Sequence, residues 1–431
     1  MRAMKDSGIE WIGKIPEGWE LRRIKTIFNI IAGATPKSGE ASFWDGDIPW
    51  ITPADYTTEG VYVSAGHKSI TQDGLNSCAT SLIPEGSIIF SKRAPVGLVA
   101  INSNSLCTNQ GCLSCVPKDS VDAKYYYYVM SIYGEQFDLF ASGTTFKEIS
   151  ADAFANFKLP YPDSEKQKQI ASFLDTKCAE IDALIAAKER TNALLKERRQ
   201  SIIYEAVTKG LDSTVPMKDS GVEWIGEIPE GWSTWRMKHI AVEPLQYGAN
   251  ATGIEFDSEL PRYVRITDIT PDRKLNDEGI QSLPESIARD YMLEPGDILF
   301  ARSGATSGKS FFYEKEYGSC CFAGYLIRFR PDPLKSKSKF LYYYTLTQAY
   351  EQWTQQIFIQ ATIQNISAEK YNNLVFALPP TLDEQAEIVA FLDSECGKLD
   401  RIIGNNDSTI QKLKEYRQSL IYEAVTGKIE V

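Results

Sequence analysis

Two stretches of this chain carry an apolar repeat of seven in the same register. Residues 164–208 and 382–426 lack proline, are rich in helix formers and space their apolar residues by three and four, the pattern of an amphipathic helix. Read in sevens, the first gives Leu174, Ile181, Lys188, Leu195 and Ile202, with Cys178, Ile185, Asn192 and Arg199 four residues after each of the first four. The second gives Leu392, Leu399, Asn406, Leu413 and Leu420, with Cys396, Ile403, Ile410 and Arg417. This is a heptad seam, broken at mid-length by Lys188 and Asn406. Each helix would run about 65 Å at 1.5 Å per residue, and helices of that length need a partner to cover the stripe. The economical solution packs the two on each other. Antiparallel pairing would bring Lys188 and Asn406 near one another and send Cys178 and Cys396 toward opposite ends; parallel pairing would set the two cysteines side by side. The plain alternative is two independent core helices.

The remaining sequence has a different texture. PEGSIIFSKR (84–93) and EPGDILFARS (294–303) read as strands, each introduced by a turn containing proline or glycine. They are two copies of one element, because the chain repeats itself. Residues 4–19 read MKDSGIEWIGKIPEGW and 217–232 read MKDSGVEWIGEIPEGW; residues 197–208 read ERRQSIIYEAVT and 415–426 read EYRQSLIYEAVT. Between these anchors Asp55 matches Asp268, Cys107 and Gly111 match Cys320 and Gly324, Tyr126–Tyr128 matches Tyr342–Tyr344, and GTTFKEIS (143–150) matches QATIQNIS (360–367). The expected architecture is a tandem repeat of mixed α/β class, with globules over 1–160 and 211–380 and helical spacers over 161–210 and 381–431.

Composition narrows the picture modestly. A chain of 431 residues with 43% hydrophobic and 24% charged residues is an ordinary globular protein of more than one domain. No apolar run is long enough for a membrane helix, and the N-terminus lacks a secretory apolar region. Eight cysteines without dense, regular spacing fit reduced thiols in a cytoplasm. The net charge of −11 counts against nucleic-acid binding unless positive potential is local or supplied by partners.

Several fragments tempt a catalytic reading and do not sustain it. Ser303 to Ser310 resembles a phosphate loop, but Gly304 and Gly308 are separated by three residues where four are needed. Cys107, Cys112 and Cys115 have an iron–sulfur spacing that the second copy does not keep, so buried thiols are expected. With only His67 and His239 in the chain, imidazole metal sites and histidine acid–base chemistry lack support. Pro162-Asp163 with Asp175 and Lys177 fits a loose nuclease pattern, yet Asp175 falls inside the predicted helix. Pro379-Pro380 lacks the context of a methyltransferase motif, and no glycine-rich S-adenosylmethionine loop stands out.

An EWIGxIPEGW opening, a divergent globule, a proline turn into a long helix ending in SxIxEAVT, and one repetition of the whole: this order resembles the specificity subunits of type I restriction-modification systems, over the full chain. One departure is Lys166 where the second copy has Glu384. The resemblance implies two target-recognition globules, each reading half of a bipartite site in double-stranded DNA. It implies an antiparallel coiled coil that sets their spacing and offers a pseudo-twofold platform for two methyltransferase subunits, with restriction subunits joining that core. It places S-adenosylmethionine, ATP and Mg²⁺ on those partners, leaving this chain no cofactor, metal or catalytic residue. Candidate DNA contacts on the repeated loops are Lys92, Arg93, Thr52, Thr144, Thr145 and Phe146 in the first copy, and Arg302, Lys309, Arg262, Arg265 and Thr362 in the second. Arg198, Arg199 and Arg417 are expected to serve the scaffold or a partner, and the tyrosine runs to serve packing. The competing functions are a self-contained DNA methyltransferase or nuclease with an unrecognised site, and a scaffold whose globules bind protein or glycan.

Overall fold

The computed structural model describes residues 3–57, 60–93, 95–143, 147–304, 306–359 and 365–431. The chain forms two compact units, Met1–Lys188 with Ser408–Val431, and Glu189–Asp407. Each holds one globule and two helical segments. No helix among the described residues is long and apolar enough to cross a membrane.

In the first unit, strands β1 (Phe28–Ala32), β2 (Trp44–Ile51), β3 (Tyr62–Val63), β4 (Lys68–Ile70), β5 (Ile88–Lys92), β6 (Val96–Asn102), β7 (Cys107–Thr108) and β8 (Cys112–Pro117) build two sheets, ordered β1-β8-β5-β6-β3 and β7-β2-β4. The unbroken apolar run of β5 follows from its place inside the larger sheet, where successive side chains enter different cores. Ile88 and Phe90 pack with Tyr126, Phe137 and Phe154, whereas Ile89 packs with Ile51 and Leu106. Helix α1 (Ala123–Ser131) then lays Tyr125 to Met130 into the interior.

Helix α2 (Ser164–Lys209) starts where Asp163 accepts the Lys166 backbone N–H at 2.9 Å, an N-cap that satisfies a donor the helix cannot. The second unit repeats the plan with β9 (Gln246–Tyr247), β10 (Ile254–Glu255), β11 (Arg262–Val264), β12 (Gln281–Ser282), β13 (Ile298–Ala301), β14 (Ser310–Phe312), β15 (Cys320–Phe322) and β16 (Leu326–Phe329), in sheets β9-β16-β13-β14 and β10-β12-β11-β15. Helix α3 (Ser338–Tyr344) and the long helix α4 (Leu382–Val425) follow.

Sheet register corrects two residue matches made from the sequence. Ser91 stands opposite Cys112 and Ala301 opposite Leu326, while Cys107–Thr108 and Cys321–Phe322 flank the same parallel strand position. Cys107 therefore matches Cys321 rather than Cys320; the adjacent pair of cysteines made identity a misleading guide. Likewise Lys124 and Tyr128 hold Asp175, at 2.6 and 2.9 Å, as Lys339 and Tyr343 hold Asp393, at 3.0 and 2.5 Å. Tyr128 thus matches Tyr343, and the tyrosine runs are offset by one.

Within each unit, half of α2 runs antiparallel to half of α4. In the first, Leu174, Cys178, Ile181 and Ile185 share a core with Ile410, Leu413 and Leu420, and Arg417 reaches Asp182 at 2.9 Å. In the second, Arg199 makes the equivalent pair with Asp400 at 3.0 Å, and Asn192 donates to Asp407 at 2.8 Å. A step forward on α2 is matched by an equal step back on α4. Arg199 and Arg417 therefore serve the scaffold, and Cys178 and Cys396 lie in different units, each buried. Of the seam, Leu174, Ile181, Leu392, Leu399 and Leu420 are buried, and Lys188, Leu195, Ile202, Asn406 and Leu413 half-buried. In the polar layer Asn406 donates to Asn192 at 2.9 Å, four residues beyond Lys188 on α2.

Candidate nucleic-acid interface

In the first globule, Thr52 follows β2 and opens a short helical turn. Its N–H and its hydroxyl both donate to Asp55 Oδ2 at 2.7 Å. The other carboxylate oxygen receives the backbone N–H of His67 at 2.8 Å and the His67 Nδ1. Burial pushes the Asp55 carboxyl up, but the hydrogen bonds from His67 and Thr52 outweigh it and hold it below the usual carboxylate range. At the end of β5, Lys92 pairs with Glu148 at 2.7 Å and Arg93 lies 3.5 Å from the same carboxylate. A hydrogen bond from Lys92 is the main cause holding Glu148 below its ordinary value. Thr144, Thr145 and Phe146 lie outside the described residues.

The second globule keeps the frame and changes the surface. Arg265 takes the place of Thr52: its N–H donates to Asp268 Oδ2 at 2.8 Å, and its guanidinium folds back onto the same carboxylate at 2.7 Å and onto the Gly279 carbonyl at 2.8 Å. Arg262 is mostly buried and is held by Asn276 and Asp277. Arg302 occupies the position of Lys92, since the Ile149 N–H donates to the Lys92 carbonyl at 3.0 Å and the Ile366 N–H to the Arg302 carbonyl at 2.9 Å. Here Asn365 stands where Glu148 stands, and among the described residues no carboxylate pairs with Arg302. Instead the guanidinium lies 4.8 Å from the ring centre of Tyr247, and its Nε is buried without a hydrogen bond among the described residues. Arg265, Arg302, Tyr247 and Tyr325 line one cleft of about 720 Å³ together with Thr252 and Gln281. Lys309 lies beyond it on the β13–β14 turn, half-buried, and Thr362 lies outside the described residues. The sequence reading missed His67, Tyr247 and Tyr325. The signal for His67 was the Asp55–Asp268 match, which marks a carboxylate that needs a partner in each copy.

Fragments with catalytic overtones resolve into structure. The glycine-rich loop is the turn of an antiparallel hairpin, β13 to β14, rather than a strand-to-helix phosphate loop. Cys107, Cys112 and Cys115 sit in three separate cores, so they do not converge on a cluster. Burial pushes the Cys107 and Cys112 thiols up to about 11 and about 12. Asp163 caps a helix and Asp175 anchors α1, which leaves neither facing a shared ion. Lys166 reaches the carbonyl of Val431, whereas its counterpart Glu384 accepts from Trp232 Nε1 at 2.9 Å.

The model of the type I restriction modification DNA specificity domain matches residues 16–195 and 267–415. The MjaIX specificity subunit of a type I restriction enzyme from Methanocaldococcus jannaschii is 32% identical over 305 residues, 68% of each chain. The StySPI specificity subunit from Salmonella potsdam is 24% identical over 97% of this chain and 90% of its own. A chain from a structural study of type I restriction-modification complex assembly shares the fold, with a TM-score of 0.73 at 17% identity over 96% of this chain and 99% of its own. Carrying the specificity-domain pattern in both halves, this chain belongs to the DNA specificity family of type I restriction-modification systems.

Proposed function

We propose that this chain selects the DNA on which a type I restriction-modification complex acts, each globule reading one half of a bipartite duplex target. The observation that carries this is one frame copied twice with unlike surfaces. At equivalent places Lys92 is paired with a glutamate, whereas Arg302 stacks on a tyrosine beside a cleft. A protein that reads two different half-sites requires this division, geometry held in the repeated scaffold and base choice left to the loops. The paired helices set the gap and offer docking faces to two methyltransferase subunits, with restriction subunits joining them. Methyl transfer and cleavage then belong to those partners, together with S-adenosylmethionine, ATP and Mg²⁺, and the chain itself is a non-catalytic targeting subunit acting in the cytoplasm. The acidic net charge fits a reader whose phosphate contacts are shared with basic partners.

The test is methylome sequencing of cells expressing the chain with its methyltransferase. A bipartite methylated motif that disappears when the chain is deleted is expected. Replacing residues 20–160 by those of another family member should change one half-motif only; a change in both halves would refute independent reading. Methylation or cleavage by the purified chain alone would favour the enzyme reading instead.

A further inference from the structure

We propose that Asp55 and Asp268 are positioning residues that aim the base-reading group of their own globule, the imidazole of His67 in the first and the guanidinium of Arg265 in the second. This rests on the DNA-reading function above and names the side chains that perform it.

The two carboxylates occupy one structural position. Each lies just past the strand that pairs in parallel with Cys107–Thr108 or with Cys320–Phe322, and each side chain is nearly buried, 3% exposed for Asp55 and 5% for Asp268. They divide their oxygens in the same way. Oδ2 accepts a backbone N–H, from Thr52 at 2.7 Å or Arg265 at 2.8 Å, and so fixes the carboxylate to the frame. Oδ1 holds an ionisable side chain, His67 Nδ1 or Arg265 Nη2, the guanidinium reaching Oδ2 as well. The group arrives by different routes, from a loop fifteen residues after Thr52 in one copy and from the turn's own first residue in the other. A sequence comparison hides this correspondence, because Thr52 and Arg265 align while the groups the carboxylates hold do not.

The His67 side chain is 84% exposed, yet it is tethered at both its backbone N–H and its Nδ1. Its loop is pressed against the carboxylate: a Cβ on Gly66 would stand 2.8 Å from the Trp50 carbonyl oxygen and 3.0 Å from the Asp55 carboxyl carbon. In the second copy the Gly279 carbonyl closes the same grip, accepting Arg265 Nη2 from a residue with φ +64°. An exposed polar side chain ordinarily loses rotamer entropy when it binds; here that ordering is completed before DNA arrives. With Nδ1 on the carboxylate, His67 offers Nε2 to a base edge. With Nε and Nη2 engaged, Arg265 offers Nη1, a donor suited to guanine O6 or N7. Arg265 also lines the cleft with Arg302, so the two guanidinium-bearing side chains border one surface.

The experiment uses the full chain co-expressed with its methyltransferase, with methylated motifs mapped by sequencing for the parent, His67→Ala, Asp55→Asn, Arg265→Ala and Asp268→Asn. His67 is exposed, so its removal leaves the core untouched and keeps the test valid even if a carboxylate variant folds poorly. We expect His67→Ala and Asp55→Asn to relax the same single position of one half-motif, with discrimination there falling roughly 5- to 150-fold and the other half intact. Arg265→Ala and Asp268→Asn should do the same to the other half. Unchanged motifs in His67→Ala and Arg265→Ala would overturn the proposal. So would a uniform fall in methylation with the motif preserved and a shallower salt dependence, which would mark these groups as phosphate contacts. If the parent complex yields no bipartite motif, the DNA-reading function fails first and this inference with it.

Discussion

A cation contributes to a binding face only in so far as its own protein leaves it unpaired, and the two globules differ most sharply in this respect. Lys92 and Arg93 share Glu148, whose depressed carboxyl stays ionised until pH falls through its lowered value; the pairing is therefore fully present at neutral pH and lost only in acid. Glu148→Gln should release both cations. Non-specific DNA affinity is expected to rise several-fold and its salt dependence to steepen by about one to two phosphate contacts, measured by titration of a random duplex at several salt concentrations. An unchanged slope would show that neither side chain reaches DNA. The thiols give a second check at this scale. Cys78 alone is half-buried and the other seven are buried, with Cys107 and Cys112 pushed to about 11 and about 12 so that they stay protonated at pH 8. A thiol reagent at that pH should modify one cysteine quickly and the other seven only on unfolding; three or more fast sites would contradict the packing described.

The long helices combine an apolar seam with one polar layer, and the layer has a defined cost. Asn192 is buried, accepts from Asn406 and donates to Asp407. Asn192→Leu should destabilise the protein by about 1–3 kcal/mol, because it removes the hydrogen bonds to Asn406 and Asp407 that a buried amide makes. Adding Asn406→Leu should recover part of that loss, since an apolar pair can then pack across the seam. Chemical denaturation of the parent, single and double variants decides it, and an additive loss in the double variant would show that the two amides act independently. The heptads made the helices and their register legible in advance, because a seam repeats wherever one face must stay covered. That Asn406 pairs with Asn192 was not legible. Lys188 interrupts the seam in sequence, but which side chains meet depends on the axial offset of two antiparallel helices, and single-helix periodicity does not contain it.

At the scale of the molecule, each unit is closed by helical segments that lie far apart in the chain. In the first, Tyr125 donates to the Val425 carbonyl at 2.9 Å and Tyr422 to that of Ile12 at 3.1 Å; in the second, Tyr204 donates to the equivalent Ile225 carbonyl at 3.4 Å. If the helices set the gap between half-sites, as proposed, inserting seven residues at mid-length in both α2 and α4 keeps every seam position in phase. Both half-motifs should survive with a longer gap between them, read by methylome sequencing; loss of a half-motif would show that spacing and reading are not separable. The sequence by itself determined the duplication, the paired heptads, the mixed α/β class and the family resemblance, because each is a pattern repeated along the chain and recoverable by counting. Only the tertiary structure decided which cations stay available and which are neutralised, and that Asp55 holds a histidine where Asp268 holds an arginine. Those outcomes depend on side chains brought together across loops of unequal length, and the distance between two atoms on different loops is set by the fold that closes them, not by their separation in sequence.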